Sequence, residues 1–163
     1  MWRSWDVADG LQETYTRALT LDPQGRVWLR HGTIRFLSVL NGYAPSKVTE
    51  PAMGNIRSWG PLARVYATAD GGAWVLDNQV LKHYQAQRWT DHPAAVAGGE
   101  EALALLPAAH GRVFVLFSAR LVEYDPAARS SRVVRRSGDT GIGAFRQMAA
   151  GFENEVWITG ERG

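Results

Sequence analysis

An all-β fold is predicted by three features of this 163-residue sequence. Its apolar runs are short, they are rich in Val, Thr and aromatic residues, and Gly, Asp-Gly or other turn residues interrupt them about every 8 to 12 positions. A helix needs an apolar stripe sustained over about 10 or more residues. The one stretch tolerant of helix is Pro93 to Pro107, where residues 94–97 read as loop and Glu100 to Leu106 as the lead into a strand.

The runs repeat. A strand with a central aromatic recurs as Arg26-Val27-Trp28-Leu29, Ala73-Trp74-Val75-Leu76, Arg112-Val113-Phe114-Val115-Leu116 and Glu155-Val156-Trp157-Ile158, and the aromatics are 46, 40 and 43 residues apart. Each follows a turn: Asp22-Pro23-Gln24-Gly25, Asp70-Gly71-Gly72, His110-Gly111 and Glu153-Asn154. Such residues accept positive φ or bond their own backbone at little strain. Ahead of each turn lies another run, at Ala18–Leu21, Val65–Thr68, Leu103–Leu106 and Phe145–Ala149, so each pair reads as a hairpin.

A third run follows at Ile34–Leu37, Val80–Tyr84 and Leu121–Tyr124, and a fourth at Ser46–Thr49, Gln87–Thr90 and Ser131–Arg135. A four-stranded meander has two apolar faces and cannot hide both alone, so such units stack radially, with large aromatics filling the wedge. Four antiparallel strands per roughly 43 residues therefore predict a partial β-propeller of about three and a half blades. The expected layout is one propeller segment over 1–163: a ring-closing edge strand in 1–10, blades at about 15–50, 62–92 and 101–137, and a partial blade at about 144–163. Its repeat markers are Asp22, Gly25, Trp28, Asp70, Gly71, Trp74, Gly111, Phe114 and Trp157, with the four aromatics expected as equivalent core wedges.

Asp9-Gly10-Leu11 and then Thr16 to Leu29, followed by Gly32-Thr33-Ile34-Arg35-Phe36, resemble the regulator-propeller repeat of bacterial sensor proteins. The match is good in the first unit. It is shortened at Asp70-Gly71-Gly72-Ala73-Trp74, has Phe114 for tryptophan in the third unit and Asn154 for glycine in the fourth. The resemblance implies a periplasmic or extracellular sensing propeller of a two-component-type regulator, placed before a membrane helix and a kinase, cyclase or DNA-binding output module. About three and a half blades fall short of a full ring. The expected partners are therefore the remaining blades and output module of a longer protein, or further copies of the chain in a dimer or higher oligomer. Thr20 to Trp28 and Thr68 to Trp74 also resemble the Asp-box turn of sialidase-type propellers, in which the aspartate ties a hairpin and the tryptophan packs inside.

Composition narrows the chemistry. With Cys 0, no thiol nucleophile or thiolate metal site exists. The net charge is +2, and all but Lys47 and Lys82 of the 18 basic residues are arginines, scattered from Arg3 to Arg162 with no nucleic-acid footprint. No run approaches 18 apolar residues and the first residues lack the apolar core of a secretory signal, so neither membrane contact nor export is encoded in this segment. Cytoplasmic placement stays open beside the periplasmic one.

Catalytic patterns are not visible. No carboxylate pair has a spacing that argues for glycoside hydrolysis. Gly138-Asp139-Thr140-Gly141-Ile142-Gly143 lacks the Gly-Lys-Ser/Thr ending of a phosphate loop and reads as a loop between blades. His31, His83, His92 and His110 are far apart without metal-ligand spacing, and no cofactor or metal is expected. Propellers bind at the channel mouth, so the candidate ligand residues are Tyr15, Arg17, Arg57, Trp59, Arg64 and Arg146 on loops leading into innermost strands. Arginine with Trp or Tyr suits a carbohydrate-like or anionic ligand through bidentate bonds and stacking. The sequence reading is thus a non-catalytic sensory or binding segment; the alternatives are a lyase-like or sialidase-like propeller enzyme and a protein-interaction scaffold.

Overall fold

The computed structural model describes residues 4–34, 37–42, 44–48, 64–77, 79–93, 99–152 and 155–162. Its elements are strands, with two short 3-10 turns at Ala109–Gly111 and Ser137–Asp139. β1 (Thr16–Leu21), β2 (Val27–His31), β3 (Leu37–Asn41) and β4 (Ala44–Val48) form one sheet in sequential order. β5 (Tyr66–Ala67), β6 (Ala73–Asp77), β7 (Val80–Gln85) and β8 (Arg88–His92) form a second, and β9 (Ala104–Pro107), β10 (Val113–Leu116), β11 (Arg120–Asp125) and β12 (Ser130–Arg136) a third. β13 (Phe145–Ala150) and β14 (Val156–Gly160) make a hairpin. These are the predicted four-stranded antiparallel meanders, three of them followed by the first two strands of another.

The chain divides into two compact units, Met1–Asn78 with Lys82–Thr90, and Gln79–Leu81 with Asp91–Gly163. In the first unit, alternation along β2 puts Trp28 on one face, opposite Thr20 and Val39, and Leu29 on the other, opposite Leu19 and Ser38. The Trp28 face, with Leu37, Val39 and Val48, packs on Val65, Ala73 and Val75 of the next sheet. Tyr84 closes on Trp28 edge-to-face at 5.9 Å. Trp74 is fully buried and stacks on His83 at 3.9 Å. In the second unit, Phe114, Leu116, Leu121 and Ala104 pack against Phe145, Met148 and Ile158 of the hairpin.

The turn aspartates do what the repeat predicts. Asp22 is buried and accepts four hydrogen bonds, from the Gln24 and Arg26 backbone N–H groups (3.0 and 2.9 Å), Arg26 Nε (2.6 Å) and Trp28 Nε1 (3.0 Å). Burial alone would raise its pKa, but these bonds, Trp28's first, hold it below the usual value. Gly25 supplies the positive φ of 78° that the same turn requires. Asp70 is more exposed; it accepts from the Thr68 hydroxyl, Gly72 N (3.3 Å) and Gln85 Nε2 (2.9 Å). In the third unit the turn has no aspartate, and His110 and Gly111 take φ of 60° and 72° instead.

In the third run of the first unit, expected at Ile34–Leu37, residues 35 and 36 lie outside the described residues; Leu37 opens β3, and Gly32, Thr33 and Ile34 donate their N–H groups to the Glu13 carboxylate. Of the edge strand expected in 1–10, residues 1–3 lie outside the described residues; residues 4–10 carry a turn at Val7–Gly10, which Asp6 caps by accepting from Ala8 N at 2.7 Å. Trp157 is not a core wedge equivalent to Trp28 and Trp74: it is 64% exposed. Phe114 is half-buried.

Candidate ligand-binding face of the first unit

Two loops meet where β1 begins and β2 ends. Glu13, ahead of β1, accepts hydrogen bonds from Gly32 N and Thr33 N at 3.0 Å each, from Ile34 N at 3.4 Å, and from the Thr33 hydroxyl. Burial pushes its carboxyl up, but these bonds outweigh it and leave the pKa below the ordinary value. Gly32 N also donates to the Tyr15 carbonyl at 2.8 Å. The Tyr15 ring lies directly over Gly32, where a Cβ would come within 2.1 Å of Cδ1. Only glycine admits the ring there. Arg17 crosses the same ring at 5.9 Å from its centroid.

Beneath these loops the strand ends carry buried polar groups. Arg30, on the Trp28 face of β2, is almost fully buried and directs Nη1 and Nη2 at the Leu76 carbonyl, 3.4 Å from each. Loss of water, with Arg17 opposing and Asp77 and Tyr66 favouring its charge, pushes its pKa down to about 10, so it remains a cation at neutral pH. Asp77 ends β6 and is buried. His31, fully buried, bonds Ser38 Oγ through Nε2 at 2.8 Å. Burial lowers its pKa, against the pull of the nearby Glu13 charge and carbonyl, so the ring is neutral at pH 7.

Arg17 and Asp77 both act on the Arg30 charge, the guanidinium opposing it and the carboxylate favouring it. With the exposed Tyr15 ring alongside, the arrangement suits an anionic group attached to a flat, stackable body.

Of the predicted ligand residues, Tyr15 and Arg17 are brought together. Arg64 is exposed just ahead of β5. Arg57 and Trp59 lie outside the described residues. Arg146, in the second unit, is exposed on β13 and ion-paired with Glu161. Arg30, His31, Glu13 and Asp77 were the groups sequence reasoning missed as a set. Alternation along Val27-Trp28-Leu29-Arg30 was the available signal, because it puts Arg30 on the buried face of Trp28.

His83 and His92 serve packing. His83 stacks on Trp74, and His92 bonds the Tyr124 hydroxyl through Nδ1 at 2.9 Å. No three His, Asp or Glu residues come together as a metal set among the described residues. The loop at 138–143 enters β13 through positive φ at Gly141 and Gly143. Among the described residues no helix is long and apolar enough to cross a membrane.

No family model matches the chain, and no curated protein sequence matches it. Solved structures do. One is the extracellular domain of a B. thetaiotaomicron protein described as a hybrid two component system: TM-score 0.65 at 14% identity, covering 97% of this chain and 21% of that one. A second extracellular domain of the same description and organism gives 0.64 at 12% identity, covering 99% and 23%. Virginiamycin B lyase from Staphylococcus aureus gives 0.63 at 10% identity, covering 94% and 52%. At these identities the likeness is one of fold, and it is of propeller type. The chain spans about a fifth of the length of the two extracellular domains.

Proposed function

We propose that the chain is a non-catalytic sensing segment of a regulator propeller, belonging to a two-component-type signalling protein and placed outside the cytoplasm. Its three meanders and hairpin act as successive blades of one propeller segment. The Tyr15 and Arg17 face takes an anionic, carbohydrate-like ligand. The observation that carries this reading is the Arg17 guanidinium over the exposed Tyr15 ring, where the loops into β1 and out of β2 meet. The extracellular domains of similar fold support the placement, and the first-unit match to the sensor repeat supports the signalling role.

Uronic-acid disaccharides, titrated calorimetrically against neutral disaccharides of the same linkage, test it. Preference for the charged sugar, lost in Tyr15→Ala and in Arg17→Ala, is the expected result. Equal affinity for both sugars, or binding that survives both substitutions, overturns the assignment. Turnover of the sugar would instead favour the enzyme alternative, for which the lyase of similar fold is the precedent.

A further inference from the structure

The turn that follows β2 is filled by a distant side chain. Gly32, Thr33 and Ile34 aim three successive backbone N–H groups at one oxygen of the Glu13 carboxylate, at 3.0, 3.0 and 3.4 Å, and the Thr33 hydroxyl donates to the other oxygen. Consecutive N–H groups that converge in this way form a concavity for an anionic oxygen. The turn aspartates act locally by comparison: Asp22 accepts from N–H groups two and four residues on, and Asp70 from one two residues on. Gly32-Thr33-Ile34 has no carboxylate of its own, and Glu13 reaches it from nineteen to twenty-one residues away.

The carboxylate can leave while the strands stay paired. Glu13 is half-buried and Thr33 exposed, so water reaches the cradle. Other bonds hold the backbone there: Gly32 N also donates to the Tyr15 carbonyl at 2.8 Å, and β1 pairs with β2 from Thr16 opposite His31. Rotation about the Glu13 side-chain bonds therefore opens three N–H groups and a hydroxyl to a new acceptor. These donors adjoin the Tyr15 ring, which is seated on Gly32, and the Arg17 guanidinium lies over the same ring. Burial raises the Glu13 pKa and the bonds lower it by more, as a cradle that favours a charged oxygen should.

We propose that the Gly32-Thr33-Ile34 cradle is a carboxylate subsite of the ligand face and that Glu13 is its built-in competitor, displaced by the carboxylate of a ligand. The placement beside Tyr15 and Arg17 rests on the ligand reading above. A competitor on a short tether acts at an effective concentration of roughly millimolar or more, so a simple carboxylate does not displace it and a ligand with further contacts does. Apparent affinity is reduced by the fraction of molecules whose cradle is vacant, which sets a threshold for sensing.

Acetate, the carboxylate alone, is titrated at constant ionic strength into isotope-labelled wild type, Glu13→Ala and Glu13→Gln, with amide shifts read by NMR. The dispersion of the remaining amides checks that each variant folds. Saturable shifts centred on Gly32, Thr33 and Ile34 are expected in Glu13→Ala, weaker ones in Glu13→Gln, and none in the wild type at the same acetate concentration. A uronic-acid disaccharide, titrated calorimetrically, should bind Glu13→Ala about tenfold more tightly than wild type, the gain when about nine in ten cradles hold Glu13. A side chain that only braces the loop would give the opposite sign. Folded Glu13→Ala whose cradle amides ignore acetate overturns the proposal, and so does measurable disaccharide binding that the substitution fails to tighten. Acetate shifts without disaccharide binding to either protein uphold the cradle and its competitor and overturn the Tyr15 and Arg17 ligand reading instead. Should Glu13→Ala not fold, Glu13→Gln carries the same comparisons; unfolding of both makes Glu13 a brace and overturns the proposal.

Discussion

Replacing Asp22 with alanine removes the acceptor of four hydrogen bonds from a buried turn. The indole N–H of Trp28, itself 1% exposed, loses its acceptor, and a buried donor left so costs about 1–3 kcal/mol. The Arg26 bond adds little because that side chain is 26% exposed and water can replace the carboxylate. A total of about 3 kcal/mol is expected, which for a domain of this size is a fall in Tm of roughly 6–12 °C. Asp22→Asn keeps an oxygen for Trp28 and should lose about half as much. Asp70→Ala, at an exposed turn, should cost about 1 kcal/mol. Scanning calorimetry measures all three, and near-UV circular dichroism reports the Trp28 environment. If Asp22→Ala melts no lower than Asp70→Ala, the aspartate does not anchor the hairpin and the reasoning fails.

Acid should act through several groups with one sign. The folded pKa values of Glu13, Asp22 and Asp70 are depressed, so the stability they contribute is present above their unfolded values near 4 and is lost as pH falls through the folded ones. His31 and His92 are depressed by burial, so charging them favours the unfolded chain below about pH 6.5. Urea midpoints should therefore fall between pH 7 and 5, and again below pH 4; a flat profile over the first interval would show that neither imidazole is held neutral. Gly32→Ala should push the Tyr15 ring off its seat and weaken uronate binding about fivefold, with a smaller loss in Arg17→Lys, both read by calorimetry. His92→Phe and Tyr124→Phe each strand a buried partner at about 1–2 kcal/mol, and in the double variant the losses should be less than additive by about 1 kcal/mol in urea unfolding.

The repeat was legible because blade packing imposes it on individual residues. An aspartate six positions before a tryptophan can reach its indole N–H across a turn, and the sequence keeps that spacing at Asp22 and Trp28. Strand edges were legible where turn residues flank them, as at Gly25 and Gly71. The turn at Gly32 to Ile34 was not, since it is organised by Glu13, nineteen residues from Gly32, and a local pattern carries no trace of a distant carboxylate. Trp157 has the sequence context of a buried wedge, yet burial depends on what lies opposite, and its own strand cannot specify that. The candidate face was half legible: Tyr15 and Arg17 precede and open a strand, as a channel-mouth pair would, but Arg30 and Asp77 come together only when two sheets stack.

The outer strand β12 is exposed along its whole length and carries Arg132, Arg135 and Arg136, with a register slip at Val134, opposite Leu121 and Val122, inside its ladder with β11. A foreign ribbon laid on this margin would meet repelling guanidinium groups and a broken ladder. Fibrillar growth along that rim is thereby discouraged, whereas polyanions such as heparin, by masking the arginines, would be expected to unlock it.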